Sequence, residues 1–550
     1  MAGKEKVKEI LGYLPLTSEI WWALRGKHKP WSSHFELEGI KSVLKDAVTD
    51  VRQLAIENPD PKKVLIFASL HYWIEQAGLI ALALAGQGHQ VSLGYLPYAE
   101  WDKPLSAFDL RRQDAYAREA LEPASEAMKV VSLLKPASKQ KTLPPLPKEI
   151  TAIVRQVSLY DTMYTRQIEQ VDEGDPLFDL RMQRNTAAAT ALHHWFSTEK
   201  PDVVIVPNGT ILEMGVAYAI ARLLGIRAVT FEFADQRERI WIAQDGEIMS
   251  HDTTALWQAL GNQPLPDKAR ASLEKLFAAR RGAATWGEFA RQWQASPQQG
   301  SNEVKQALNL DDRPVTLLAT NVLGDSLTLG REKITNSMAD WIVKTIAWFT
   351  THPEVQLVVR VHPGELLTHG TSMVQVIQDN FAALPENIHI IKPEEKVNTY
   401  DLVDITDSGL VYTTTVGLEM AMAGLPVIVA GKTHYANKGF TLDPQSWEEY
   451  QELLERLSAD PVIHRLSAAQ TEQAWLYAYL FFFEFSLPFP WHLVWLAEDF
   501  KARPLRYVLN ARELQQYRQT FDYLVGKPLD WKARGFARMN EQPREVFDAD

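Results

Sequence analysis

Short apolar runs that alternate with helical stretches constrain the fold of this chain more than any other feature. KKVLIFAS (62–69) is a continuous apolar run too short for a helix, so it reads as a buried strand. IEQAGLIALALAGQG follows as a helix ending in glycines, and HQVSLGYL (89–96) is the next strand. PDVVIVPNG (201–209), ILEMGVAYAIARLLG and IRAVTFEF (226–233) repeat the unit. Strands joined through a helix pair in parallel, and a parallel sheet needs helices on its faces. A second series begins at RPVTLLATN (313–321) and runs through SMADWIVKTIAWFTTH, VQLVVRVHPGE (355–365), NIHIIKP, SGLVYTTT and LPVIVAG. The expectation is an α/β chain with two separate sheets, since 550 residues exceed what one core organises.

Charge and composition exclude several classes of function. A formal net charge of −12 argues against nucleic acid as a partner, because phosphate neutralisation needs a basic face. There is no cysteine, so disulfides and thiolate metal sites are excluded, and the chain suits a reducing, cytoplasmic compartment. The stretch MAGKEKVKEILGYLPLTSEIWW has neither the apolar core nor the cleavage site of a signal peptide. No stretch reaches the ~18 uninterrupted apolar residues of a spanning helix. The nearest, AWLYAYLFFFEFSLPFPWHLVWLAEDF (474–500), is interrupted by Glu484, Pro488 and Pro490. It reads as a buried helix pair or, alternatively, as an aromatic surface resting on a membrane or a partner.

Ligands of open parallel sheets bind beyond the carboxyl ends of the strands. In the second half that rule selects Asn321, Asp325, Arg360, His362, Glu365, Lys392 and the threonine loop; in the first it selects His71, Asn208, Glu213, Glu232 and Arg237. Thr413, Thr414 and Thr415 stand between a strand and the helix VGLEMAMAG. Helix-start amides, hydroxyls and Gly417 together make an anion cradle, although an ordinary threonine N-cap has the same letters. Glu419, on the first turn, would accept from ribose hydroxyls or simply satisfy the helix dipole. Arg360 carries charge suited to phosphate, or to a salt bridge within the strand. His362 precedes proline at a strand end and suits phosphate or proton transfer. His352–Pro353, in THPEVQ, is the same dipeptide in a plain connecting loop.

Metal ligation finds no support. There is no His-x-x-x-His pair, and no Asp-x-Asp at a strand end; FDAD (547–550) has that spacing in a tail. Asp401, Asp404 and Asp407 fit a solvated helix face. No G-x-S-x-G elbow, phosphate-binding G-x-x-x-x-G-K-[ST] loop or G-x-G-x-x-G turn occurs after a strand, and no cofactor is called for.

TNVLGDS, DWIVKTIAWFTTHPEVQLVVRVHPGE and VYTTTVGLEMAMAGLPVIVAGKTHYANKGFTLDP together resemble bacterial capsular-polysaccharide biosynthesis proteins, GT-B glycosyltransferases related to the Kdo transferases of capsule assembly. The resemblance covers about 315–444 well, and a stretch near 207–246 less specifically. It implies a GT-B-like α/β fold: two Rossmann-like domains with parallel sheets facing a central cleft, plus helical N- and C-terminal extensions. The implied division is a helical extension (1–60), an acceptor domain (61–300), a nucleotide-sugar donor domain (301–446) and a helical segment (447–550) packing back on the acceptor domain. LLKPASKQKTLPPLPKEI (133–150) reads as a proline-rich connector and ASPQQGSN (295–302) as a linker. By the same likeness, His362 and Thr413–Thr415 hold a CMP- or UDP-linked donor without metal, with Arg360, Asn321 and Gly417 beside them and Glu419 near the ribose. Threonines stand where relatives often have serines, which keeps the hydroxyls. The implied partners are the donor and a glycan or glycolipid acceptor, with contact to the membrane's inner face or to capsule machinery.

An acceptor hydroxyl needs a base. Three groups follow strand-like runs in the first half. Glu232, between two phenylalanines, ranks first on the likeness, His71 second and Glu213 third. Two other readings share the architecture: a non-hydrolysing UDP-sugar 2-epimerase, and a non-catalytic scaffold of capsule assembly.

Overall fold

The computed structural model describes residues 2–25, 35–134 and 145–541, apart from 288, 290–293 and 295. Most of the proline-rich connector (135–144) and the FDAD tail lie outside the described residues. The chain forms two compact units. One comprises Met1–Thr162, Asp172–Met249 and Leu487–Leu529; the other comprises Met163–Val171, Ser250–Ser486 and Asp530–Asp550.

The first unit is built on a seven-stranded sheet. Its strands are β1 (Lys63–Ser69), β2 (Gln90–Leu96), β3 (Lys129–Ser132), β4 (Val203–Pro207), β5 (Arg227–Phe233), β6 (Arg239–Gln244) and, at the edge, β12 (Leu487–Pro488). They lie in the order β12-β6-β5-β4-β1-β2-β3. Pairs from β5 through β3 are parallel, and β6 and β12 add antiparallel edges. Val64, Leu65, Ile66 and Phe67 of β1 are fully buried, which is why that strand reads as an unbroken apolar run. Around the sheet stand α1 (Ala2–Tyr13), α2 (Thr17–Arg25), α3 (Glu38–Leu54), α4 (His71–Gly86) and α5 (Ala107–Leu121), followed by longer helices at Lys148–Arg166 and Pro176–Glu199. Gly94 of β2 is required by packing: a Cβ there would stand 2.5 Å from the Trp195 ring.

The second unit holds a five-stranded, wholly parallel sheet in the order β11-β10-β7-β8-β9. Its strands are β7 (Val315–Ala319), β8 (Gln356–Arg360), β9 (Ile388–Ile391), β10 (Ser408–Val411) and β11 (Val427–Val429). The helix Met338–Thr350 starts at Ser337, whose side chain accepts from the Asp340 amide, and it buries Trp341, Ile342, Ile346 and Phe349 against the sheet. Two Rossmann-like sheets with helical segments before and after them are thus the architecture of this α/β chain.

The units do not follow the boundaries drawn from the sequence. Residues 250–300 group with the second sheet, and so do 447–486, whereas 487–529 return to the first. Two residues of β12 make the return, pairing Leu487 with Ile240 and Pro488 with Arg239, a strand too short to read from sequence. The aromatic stretch is core: Phe481, Phe482, Phe483, Phe485, Phe489 and Trp491 are all buried. Its reading as a membrane-resting surface gives way to the buried one.

Candidate functional site

Both sheets have a topological switch point. In the second unit, β7 is flanked by β8 on one side and β10 on the other, so the chain leaves β7 and β10 in opposite directions and opens a crevice at their carboxyl ends. Ala319 pairs with Val411, which sets Asn321 and Thr413 at the same level just beyond the strands. The two are joined directly, the Thr413 amide donating to Asn321 Oδ1 at 3.2 Å.

The threonine loop is tightly held by its backbone and lightly committed by its hydroxyls. Tyr435 Oη donates to the Thr414 carbonyl at 2.5 Å, and the Gly431 amide to the Tyr412 carbonyl at 3.2 Å. Gly417 lies so close to these groups that a Cβ would stand 2.5 Å from Tyr435 Oη and 2.8 Å from Val411 Cγ2. Thr414 Oγ1 takes the Val416 amide at 3.4 Å, the outer limit of a hydrogen bond. Thr415 occupies the N-cap position of Val416–Met422 but makes no side-chain cap bond. Thr413 Oγ1 is buried and has no hydrogen-bond partner in the protein.

His362 stands beyond β8 on the same edge. Its amide donates to Thr320 Oγ1 at 3.0 Å, and its Nδ1 accepts from the Gly364 amide at 2.9 Å. An accepting Nδ1 leaves the proton of the neutral ring on Nε2, a donor suited to an anionic oxygen. His352 differs in every respect: it stacks on Trp348 at 3.7 Å, and its Nδ1–H donates to the Trp348 carbonyl at 2.7 Å.

Two expected donor-binding residues have other work. Arg360 is buried, donating to the carbonyls of Lys392 (2.8 Å), Glu395 (3.3 Å) and Val397 (3.3 Å), so it clamps the loop after β9. Burial lowers its pKa to about 10, which leaves it cationic. Glu419 is buried against Arg280 at 2.8 Å; burial raises its pKa while the guanidinium opposes the rise. That pair, rather than a ribose, accounts for Glu419 in the fold. Sequence reading passed over Tyr435 and the stretch Gly431–Thr433. Applying the strand-end rule to β11 as well would have found them, because Thr433 Oγ1 lies 3.4 Å from the Thr413 carbonyl and the Lys432 amide donates to the Arg331 carbonyl at 2.9 Å.

The first unit has its switch point between β1 and β4. His71 opens α4 after Leu70, which takes φ +67°, and its ring meets Tyr72 edge-on at 5.1 Å. A cavity of about 330 Å³ is lined by His71, Glu36, Glu38, Gly39 and Glu75. Glu75 accepts from the Ile40 amide at 3.0 Å, and burial raises its pKa to about 7. Beyond β4, Asn208 Oδ1 accepts from the amides of Thr210 and Ile211, while its Nδ2 donates to Glu232 Oε2 at 3.3 Å. Glu232 also accepts from the Phe233 amide at 3.2 Å, and burial raises its pKa to about 8. Arg237, selected by the strand-end rule, pairs with Asp499 at 3.0 Å.

Glu213 lies nearby in chemistry of the opposite kind. Arg181 reaches it at 2.7 Å and Ser69 Oγ donates to it at 2.8 Å, all fully buried. Arg181 also bonds Asp161 at 2.9 Å, and Asp161 accepts from the Leu212 amide. Burial pushes the Glu213 pKa up, but Arg181 and Arg184 outweigh it and hold the carboxyl below its ordinary value. A carboxylate so paired is a weak base, so its expected catalytic role yields to a structural one. Among the described residues, no three His, Asp or Glu side chains are grouped to hold a metal ion.

Residues 286–479 match the family model of capsule polysaccharide biosynthesis proteins. No curated protein sequence matches the chain. Among solved structures, the chain is similar to KpsC of Thermosulfurimonas dismutans, a β-Kdo 2,4 transferase, at 17% identity over 50% of this chain and 78% of that one, with a TM-score of 0.33. A β-Kdo 2,7 transferase, also KpsC of that organism, aligns at 14% identity over 52% and 79%, with a TM-score of 0.29. A UDP-GlcNAc 2-epimerase of Neisseria meningitidis bound to UDP-GlcNAc aligns at 14% over 75% and 94%, with a TM-score of 0.24.

Proposed function

We propose that the chain, whose residues 286–479 match the family model of capsule polysaccharide biosynthesis proteins, is a GT-B-type glycosyltransferase that moves a sugar from a CMP- or UDP-linked donor to a capsular glycan or glycolipid. The second unit takes the donor. The observation that carries this is the β7/β10 switch point, where Asn321 fixes the Thr413 amide and the Thr413 hydroxyl is buried without a protein partner. A donor phosphate there would accept from Thr413, Thr414 and Thr415, with His362 Nε2–H beside it. Gly417 lets the loop lie close, and Arg360 and Glu419 support the fold around it. Neutral donors and helix-start amides meet the leaving group's charge, so the reading is of metal-independent transfer.

The first unit takes the acceptor and supplies the base. Glu232 is the leading base: in its ionised form it takes the proton from the acceptor hydroxyl as the sugar's bond to the donor phosphate breaks. A pKa near 8 makes it an effective proton acceptor once ionised. His71 is the second choice, and Glu213, third by sequence, serves the fold instead. A lipid-borne acceptor would be met at the inner face of the cytoplasmic membrane, with the chain working as a peripheral protein among the capsule machinery.

The experiment is incubation with CMP- and UDP-sugars, with and without capsular oligosaccharide. Acceptor-dependent release of free nucleotide is expected. Conversion of a UDP-sugar without net release would replace this reading with epimerisation, and neither reaction would leave a scaffold.

A further inference from the structure

One cation at the carboxyl edge of the second sheet has no work in the fold. Arg331 stands in the loop between β7 and the helix Met338–Thr350, the segment that leaves the switch point. Its side chain is partly buried, and Nη2 is wholly buried without a hydrogen-bond partner. Among the described residues its guanidinium makes neither an ion pair nor a side-chain hydrogen bond. Arg360, by contrast, spends its donors on three carbonyls, and Arg280 meets Glu419. A guanidinium carries five N–H donors in a planar fork, and burying one of them without an acceptor is costly. An anion that supplies the acceptor oxygens removes that cost.

The backbone places Arg331 beside the threonine loop. The Thr328 amide donates to the Asp325 carbonyl at 2.7 Å, and the Arg331 amide to the Thr328 carbonyl at 3.2 Å. The Arg331 carbonyl accepts from the Lys432 amide at 2.9 Å, which ties it to the loop after β11. The residues on either side of Lys432 both touch Thr413. A Cβ on Gly431 would stand 3.2 Å from Thr413 Cγ2, and Thr433 Oγ1 lies 3.4 Å from the Thr413 carbonyl. Three successive residues thus hold Arg331 and Thr413 side by side.

His251 marks where the guanidinium lies. Burial, with the charge of Arg331 adding to it, lowers the His251 pKa to about 4. The His251 ring in turn meets the ring of His434, the residue after Thr433, at 5.8 Å. Lys432 is exposed and makes no ion pair, so a second positive charge stands by the same loop in a chain whose formal net charge is −12.

We propose that Arg331 binds a second anionic group of the donor, next to the phosphate held by the threonine loop. Two sources supply such a group: the further phosphate of a nucleoside diphosphate sugar, or the carboxylate of a sugar acid linked to a nucleoside monophosphate. Both present paired oxygens to a planar fork. The proposal rests on the reading of the second unit as the donor site and adds that the donor carries two anionic groups there.

The test is calorimetric titration of the full-length protein with CMP, CDP, UMP, UDP and CMP-N-acetylneuraminate, a CMP-linked sugar acid. The parent binds at least one of CDP, UDP and the sugar acid roughly ten- to hundredfold tighter than the matching monophosphate. Arg331→Ala erases that gain, keeps the monophosphate affinity within about twofold and melts where the parent does. Arg331→Lys, which keeps the charge but not the fork, recovers part of the gain. A gain with CDP or UDP assigns the partner as phosphate, and a gain confined to the sugar acid assigns it as carboxylate. Should Arg331→Ala melt early, Arg331→Gln, closer in size, carries the same comparison. A parent that binds monophosphates and gains nothing from the second anionic group overturns the proposal and leaves the donor reading standing. A gain that survives in the variant, or an equal loss for monophosphates, does the same. A parent that binds none of the five overturns both.

Discussion

The two switch points share a topology and differ in chemistry. In each sheet the crevice opens between the unit's first strand and the parallel neighbour across which the strand order reverses. The first unit is rich in carboxyls: buried Glu232 and half-buried Glu75 are both pushed toward neutrality, and Glu36 and Glu38 line a cavity with Glu75 and His71. The second unit lines its strand-end edge with hydroxyls, an amide-fixing asparagine and a histidine whose protonated nitrogen is Nε2. One unit thus gathers carboxyls of raised pKa, and the other gathers hydrogen-bond donors at its strand ends.

A second contrast lies within the first unit. Glu213, at the start of the helix after β4, and Glu232, near the end of β5, are both buried carboxyls, yet a guanidinium holds one ionised and desolvation holds the other protonated. The sharpest way to break this contrast is Glu232→Gln. The single-turnover transfer rate should fall on the order of 10²–10⁴-fold with nucleotide affinity kept. In the parent, the rate should rise with pH up to about 8 and then level. The stability effect has a definite sign. Below 4.5 the carboxyl is protonated in both states; as pH rises toward 8 the unfolded chain ionises first, so the fold loses stability over that window. The Gln variant should lack that loss.

Glu213→Gln should do the reverse. It leaves Arg181 with one carboxylate in a dry site, and removing a buried pair's partner costs about 3–5 kcal/mol. Glu213 is held below its ordinary value, so its contribution is present above about 4.5 and lost as pH falls through the lowered value. Denaturant midpoints near neutral pH and in acid would show the deficit shrinking in acid. A rate loss with unchanged midpoints would mean Glu213 is the base after all.

The smallest expected effect separates the two His-Pro pairs. His362→Ala should weaken nucleotide binding by up to about tenfold, the size of one lost hydrogen bond to a charged group. His352→Ala should leave affinity untouched and cost only its Trp348 contacts. Equal effects in a binding titration would dissolve the distinction.

The strands were legible because they are buried on both faces, which writes them as unbroken apolar runs. The threonine loop was legible because position after a strand is a local property, and Glu232 because it stands near the end of an apolar run between two phenylalanines. What that rule could not supply was each side chain's partner. Arg360 and Glu419 satisfy it as well as Thr413 does, yet one serves carbonyls more than thirty residues on and the other an arginine 139 residues away. The return of 487–529 to the first unit was hidden because it rests on a two-residue strand and on side chains such as Arg503, which pairs with Glu238.

The central claim, that the threonine loop of the second unit holds a donor phosphate, is tested most directly by titrating the parent and Thr413→Val with CMP, CDP, UDP and GDP while following unfolding. At about 100 times its Kd, a bound nucleotide should stabilise the parent by ~2.7 kcal/mol. Thr413→Val removes a buried hydroxyl that has no protein partner, so its unliganded stability should be unchanged or higher, while nucleotide affinity falls roughly ten- to hundredfold. A variant that binds as tightly as the parent, or a parent that binds none of the four, would contradict the account.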